Sequence, residues 1–344
     1  MINLVKRYYE GGKEIINEYQ MIRHARKYAS CENAVFMLGT PLHGNLGDQA
    51  ITLAEIEFFS KKGLRVIEIP SPFVIPHLEK WKEIIGGRRI YIHGGGFVGS
   101  LWPEEEAMLE TILETFVGNE IIILPQTVYF DKVDERVSHL NSLIKTQGNV
   151  TLCARETYSY EFACCHLNEA NVILVPDMVL SANWFDNKPG NRDKVILCMR
   201  RDLEKSMTEE MMESLKSLIE KYYPDTEVIY TDTVMDNMIY PHMRKRALKK
   251  KLSDLAQARL VVTDRLHGMV LSAMANTPSL VFANCNYKVQ GIYNWISNNS
   301  FIAYCDNMSE AEEKMKALVN EENCVYNHDV AKKAFAPLIE IVGK

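Results

Sequence analysis

From residue 33 onward, short apolar runs alternate with longer amphipathic ones: NAVFMLG, DQAITLAEIEFFSKKG, LRVIEIP, RRIYIHGGG, EEEAMLETILETFVG and EIIILPQ. Strand-length segments separated by helix-length ones are joined by crossovers rather than hairpins, and crossovers produce a mainly parallel sheet. NVTLCARE, a helical TYSYEFACCHL and NVILVPD continue the pattern. NWFDNKPGNRDK then gathers Asn, Asp, Pro and Gly, residues that interrupt both kinds of element and mark a boundary. Beyond it the alternation restarts with KVILCMRRD, TEEMMESLKSLIEKYY, TEVIYTD, the basic MRKRALKKKLSDLAQA, RLVVTD, LHGMVLSAMAN and SLVFAN. The expected fold is α/β with two Rossmann-like domains. An N-terminal helical segment covers 1–30, a first domain 31–186, and a second domain with C-terminal helices 194–344. At 344 residues and 47% apolar content, each half can bury a core of its own.

A net charge of −6 gives no global basic field, which argues against nucleic acid as a partner. The eight cysteines form no C-x-x-C pair and several lie inside apolar runs, so they read as buried thiols in a reducing compartment. Charges are scattered through the first thirty residues, without the apolar core of a signal peptide, and no apolar run reaches the roughly 18–20 residues that span a bilayer. The expectation is a cytoplasmic protein whose membrane association, if any, is peripheral. The basic helix over 244–251 supplies the surface for it. An apolar stripe of Met243, Ala247, Leu248, Leu252 and Leu255 would leave Arg244, Lys245, Arg246, Lys249, Lys250 and Lys251 exposed to anionic lipid; a simply solvated face is the alternative. Assembly into a homo-oligomer is compatible with this composition.

Three loops concentrate the chemistry. In RRIYIHGGGFVGSLW, Gly94, Gly96 and Gly99 satisfy G-x-G-x-x-G, but Trp102 and Pro103 interrupt the helix that a dinucleotide site needs, and the next strand ends in Pro125 and Gln126 rather than an acid. What survives is a strand ending in His93 and three glycines that let backbone approach a ligand or the other domain, or else a tight turn. In FMLGTPLHGNLGDQAI, Asp48 is placed to cap a helix beginning near Gln49, whose free amides attract anions. In ARLVVTDRLHGMVLSAMAN, a strand runs into Asp264, Arg265, Leu266 and His267 before an apolar helix. Arg265 can hold a carboxylate or phosphate with two parallel hydrogen bonds, and His267 is able to exchange a proton near neutral pH. Arg155, Arg200 and Arg201 also leave strand ends, so cations from both halves gather at a cleft suited to a small polyanion.

The ordered motifs HGNLGDQAI, HGGGFVGSLW, LPQTVYF, CARETYSYE, VPDMVLS, CMRRDLEKS and TDRLHGMVLSAMANTPSLVFANCNYKVQGIYNWI resemble the polysaccharide pyruvyltransferase family, over about residues 36–296. The resemblance implies a fold similar to glycosyltransferase B (GT-B). It also implies transfer of pyruvate from phosphoenolpyruvate to a sugar of a polysaccharide, glycan or lipid-linked precursor, as a ketal, with phosphate released. Arg155 and the Arg265-Leu266-His267 tripeptide match the family's phosphoenolpyruvate-binding positions. His267 is then the candidate for proton transfer, with Asp48 or His93 as bases toward the acceptor. Asn45, Gly95, Gly96, Arg200 and Lys288 lie on the same motifs as candidate substrate contacts. No metal and no cofactor beyond the donor itself is expected. Two alternatives stay open: a nucleotide-sugar-dependent glycosyltransferase of the same fold type, which would release a nucleotide, and a sugar- or anion-binding protein without turnover.

Overall fold

The computed structural model describes residues 18–184, 192–200, 207–284, 287–321 and 324–343. Most of the boundary expected at 183–193, the first part of the N-terminal segment and Arg201 lie outside these residues.

Parallel strands need apolar residues on both faces, and the short runs supply them. The first sheet has seven strands: β1 (Ala34–Thr40), β2 (Arg65–Pro70), β3 (Ile90–Ile92), β4 (Gly95–Gly99), β5 (Ile121–Tyr129), β6 (Val150–Ala154) and β7 (Asn171–Leu174). Their order is β2-β1-β3-β5-β6-β7, with β4 also on β5, and all pairs are parallel. The second sheet has five: β8 (Lys194–Cys198), β9 (Glu227–Thr231), β10 (Ala258–Thr263), β11 (Ser279–Phe282) and β12 (Ile302–Cys305), ordered β12-β11-β10-β8-β9 and again parallel. In each sheet the order reverses beside the first strand, so β1 lies between β2 and β3, and β8 between β9 and β10. At such a reversal the connections leave toward opposite faces, opening a crevice at the carboxyl ends.

The glycine run is not the turn its composition suggested. β3 pairs Ile90 with Ile121 and Ile92 with Ile123, and β4 resumes on the same partner with Gly95 opposite Gln126 and Gly99 opposite Tyr129. Pro125 has no N–H to donate, and the β5–β6 register shifts between Ile123 and Gln126. Gly99 sits at φ +123°, where a Cβ would meet the Tyr129 carbonyl oxygen at 1.9 Å, so close strand approach demands glycine there.

Helix α1 (Glu18–Ala29) packs on the core of the first half, and the helices that shape the junction are α2 (Leu46–Ser60), α3 (Pro241–Ala256), α4 (Leu266–Met274), α5 (Lys288–Ile296) and α6 (Ala336–Val342). Leu46 and Ile51 of α2, Leu248 and Leu252 of α3 and Met269 and Val270 of α4 belong to one continuous core that joins the halves. Gln49, fully buried in α2, donates to the carbonyls of His43 (2.9 Å) and Ile239 (3.2 Å) and accepts from Arg244 Nε at 2.7 Å. Arg244 also reaches Glu68 Oε2 at 3.0 Å.

This corrects the expected exposure of the basic helix. Arg244 falls one turn from Leu248 and Lys251 one turn from Leu255 on the inward face, and both are buried, whereas Lys245, Arg246, Lys249 and Lys250 are exposed and Met243 lies outside. Lys251 Nζ donates to the Thr231 hydroxyl (2.8 Å) and the Asp232 carbonyl (2.9 Å), pinning the end of β9. The chain's end also departs from its assignment to the second half. Phe335 packs against Phe58, and the Ile341 carbonyl of α6 accepts from Arg89 Nη1 at 3.1 Å, because the apolar stripe Phe335, Leu338 and Val342 is covered by the shared core. Among the described cysteines all are free, and Cys164 and Cys165 are exposed rather than buried.

Among the described residues no helix is long and apolar enough to cross a membrane.

Candidate active site

A cleft of about 590 Å³ opens where the carboxyl ends of both sheets meet. It is lined by Asn45, Asp48, His93, Gly96 and Arg155 from the first half and by Arg200, Arg265, Leu266, His267 and Lys288 from the second. Of the described candidate site residues proposed from sequence, Gly95 alone does not line it; Gly95 is buried in β4.

The loop after β1 is held by the second half: Leu46 N–H donates to the Thr233 carbonyl at 2.8 Å and Met235 N–H to the Gly44 carbonyl at 2.9 Å. The N-cap of α2 is Asn45, not Asp48. Asn45 has an extended backbone, its Oδ1 accepts from Gly47 N–H at 3.0 Å, and its Nδ2 donates to Asp48 Oδ2 at 2.7 Å. Asp48 therefore stands inside the first turn with its carboxylate on the cleft, 3.7 Å from His43 Nε2.

Arg155 leaves β6 into the cleft floor, where it is buried. Its Nε donates to the Thr127 hydroxyl and its Nη1 to Asp177 Oδ2, both at 2.8 Å. Gly96 makes room: a Cβ there would stand 2.9 Å from Arg155 Nη2. The same Asp177 oxygen lies 3.4 Å from His267 Nε2, an ion-pair distance without hydrogen-bond alignment. One buried carboxylate thus holds a guanidinium from the first half and an imidazole from the second. Burial opposes its charge, but His267, Arg155 and the Val179 N–H together hold the Asp177 carboxyl well below the usual carboxylate range.

Arg265 is the N-cap of α4, and its fork is engaged within the protein: Nε reaches Asp232 Oδ1 at 2.8 Å and Nη2 reaches Oδ2 at 2.7 Å. The two-pronged geometry read from sequence is present, with Asp232 as the carboxylate it grips. Arg200 N–H donates to Asp264 Oδ1 at 2.9 Å, and burial pushes the Asp264 carboxyl up. On the first-half side, His93 Nδ1 lies 2.8 Å from Oε2 of the fully buried Glu55. Among the described residues no group of three or more His, Cys, Asp or Glu is placed to hold a metal ion.

The sequence model of polysaccharide pyruvyl transferases matches residues 45–286 of this chain. The chain belongs to the polysaccharide pyruvyl transferase family. The match begins at the N-cap Asn45 and ends two residues before Lys288, so it takes in Asp48, His93, Arg155, Arg200, Arg265 and His267. General stress protein 30 of Bacillus subtilis is 34% identical over 320 residues, 89% of this chain and 90% of its own length. Pyruvyl transferase 1 of Schizosaccharomyces pombe is 26% identical, over 80% and 73% respectively. Among solved structures, an uncharacterized Klebsiella pneumoniae protein superposes with a TM-score of 0.57 at 18% identity, covering 86% of this chain and 100% of the other. UDP-GlcNAc 2-epimerase of Methanocaldococcus jannaschii gives 0.52 at 12% identity, covering 90% and 99%. These likenesses establish the fold, a two-sheet GT-B architecture, and membership of the family makes the protein a transferase of pyruvyl groups to polysaccharide.

Three acids that pair with cleft-lining side chains went unassigned in the sequence: Glu55, Asp177 and Asp232. Asp177 ends the NVILVPD strand segment and Asp232 the TEVIYTD segment, and acids at strand ends beside cationic motifs were the available signal. Gly47 gives the site a direct test. A Cβ there would fall 2.3 Å from His267 Nδ1. Gly47→Ala is expected to push the imidazole off Asp177 and lower turnover by about 100-fold while the melting temperature moves little, measured by steady-state kinetics and thermal melting.

Proposed function

We propose that this pyruvyl transferase takes pyruvate from phosphoenolpyruvate and closes it as a cyclic ketal on two hydroxyls of a saccharide, releasing phosphate. The observation that carries the reading is the convergence of Arg155, Arg200, Arg265, Lys288 and His267, from both halves, on one cleft. A donor bearing a carboxylate and a phosphate needs several cations to be held at neutral pH. In the reaction, the alkene pair of the donor takes a proton at the methylene carbon, and His267 is the donor of that proton. The adjacent carbon becomes oxocarbenium-like, with the guanidiniums balancing carboxylate and phosphate. One sugar hydroxyl attacks it and loses its proton to a base; the C–O bond to phosphate breaks and the second hydroxyl closes the ring. One of the two hydroxyl protons replaces the one given to the methylene carbon, and the other leaves with phosphate.

A second group of cleft residues suits the acceptor. His43, Asp48 and Glu105 line it together, and Trp102, 46% exposed, stands at its rim next to the helix that carries Glu105. Burial raises the Glu105 carboxyl. An indole and carboxylates lining one cleft match a sugar ring, apolar on its C–H face and hydroxylic at its edge. Trp102→Ala is expected to raise the acceptor KM about tenfold, roughly 1.4 kcal/mol, and leave the KM for phosphoenolpyruvate unchanged. Calorimetric titration tests the donor: phosphoenolpyruvate should bind and a nucleotide sugar should not displace it. The reverse result would favour the nucleotide-sugar glycosyltransferase.

A further inference from the structure

Glu55 lies on the inward face of α2, fully buried, where the neighbouring positions are Ile51, Ala54, Phe58 and Phe59. A carboxylate in that setting is retained only if both oxygens are satisfied. They are: Oε1 accepts the Gly94 N–H at 2.8 Å, and Oε2 lies 2.8 Å from His93 Nδ1. The backbone at His93 is fixed as well, since its N–H donates to the Leu38 carbonyl at 2.9 Å and its carbonyl accepts from Gln126 Nε2 at 2.7 Å. The His93 ring lines the cleft, is 4% exposed, and its Nε2 is buried without a hydrogen-bond partner.

An ionised carboxylate only accepts, so the proton on the His93 ring must be on Nδ1. Nε2 is then left with its lone pair. We propose that Glu55 is a positioning residue that fixes His93 as the Nδ1–H tautomer and so makes Nε2 the proton acceptor for the attacking saccharide hydroxyl. The proposal rests on the reading above that the cleft takes a hydroxylic acceptor. In the step, the hydroxyl oxygen forms its bond to the electrophilic carbon of the pyruvyl group while its proton passes to Nε2. Glu55 balances the imidazolium that forms, and the proton leaves with the phosphate.

The Gly94 amide makes Glu55→Gln an informative change. Its N–H can only donate, so it must face the carboxamide oxygen, which turns the NH₂ toward His93 Nδ1. Nδ1 becomes an acceptor and the ring proton moves to Nε2. Nitrogen-15 spectra of histidine-labelled protein, with His93 assigned by the resonances lost in His93→Gln, should show the Nδ1–H form in the wild type and the Nε2–H form in Glu55→Gln. With saturating donor and acceptor, kcat of Glu55→Gln should fall about 100-fold or more, phosphoenolpyruvate affinity should stay the same, and Glu55→Asp should recover part of the rate. An Nε2–H tautomer in the wild type overturns the proposal even if Glu55→Gln fails to fold. So does an undiminished kcat in Glu55→Gln while the wild type transfers pyruvate; the reading of the cleft then stands. If the tautomer switches as expected but the wild type transfers pyruvate to no saccharide, the reading fails and the Glu55–His93 assignment stands.

Discussion

Replacing His267 by Asn is expected to lower turnover by about 100-fold or more while the fold and much of the phosphoenolpyruvate affinity survive. The imidazole stands with Nε2 3.4 Å from Asp177 and Nδ1 against Gly47, on a helix start that Arg265 caps. An asparagine keeps polarity there but cannot deliver a proton to carbon. Arg265→Lys should fail in a different way. The guanidinium spans both oxygens of Asp232, and a point charge at that place cannot maintain the fork, so donor affinity should fall about tenfold with a smaller change in kcat. Donor titration by calorimetry, thermal melting and turnover for the two variants separates binding from chemistry. Near-normal turnover in His267→Asn would remove His267 from the mechanism and leave its turn as an anion clamp.

Removing Asp177 should be the most damaging single change to stability. Arg155 and His267 meet on this carboxylate, and the side chains of Arg155 and Asp177 are 4% and 1% exposed. Asp177→Ala leaves a buried guanidinium without its counter-charge, which costs about 3–5 kcal/mol, so the melting temperature should drop by several degrees and activity should vanish with it. Asp177→Asn keeps the shape and one acceptor, and should lose less. The pH dependence has a definite sign. The folded-state pKa is depressed, so the carboxylate's contribution is complete above the unfolded value near ~4 and is lost as the pH falls toward the folded value. The stability difference between wild type and Asp177→Asn, measured by chemical denaturation, should therefore shrink below about pH 4. A difference that grows toward acid would contradict the assignment.

The sheets were legible because strand and helix lengths alternate in the sequence, and the cations because Arg155, Arg200, Arg265 and His267 each follow an apolar run. Their carboxylate partners were not. Asp177 meets Arg155 across 22 residues, Glu55 meets His93 across 38 and Asp232 meets Arg265 across 33, pairings that exist only once separate elements converge. Local rules also lost to tertiary context. Gly95–Gly99 forms a strand because β5 offers a partner, although its composition speaks for a turn. Arg244 and Lys251 read as solvent-facing charges, yet helical spacing places them beside Leu248 and Leu255, where Gln49, Glu68, Thr231 and the Asp232 carbonyl satisfy them. The N-cap was displaced by three residues because Asn45, on an extended backbone before Leu46, meets the capping geometry first.

The cations converging from both sheets are expected to serve phosphoenolpyruvate. Incubation with phosphoenolpyruvate and a panel of aryl and lipid-linked glycosides, following phosphate release together with product mass, decides whether they do. Phosphate is expected in one-to-one yield with a saccharide that has gained pyruvate and lost water, and both signals should be lost in His267→Asn. Phosphoenolpyruvate left intact while a nucleotide sugar is consumed and its nucleotide released would contradict that expectation.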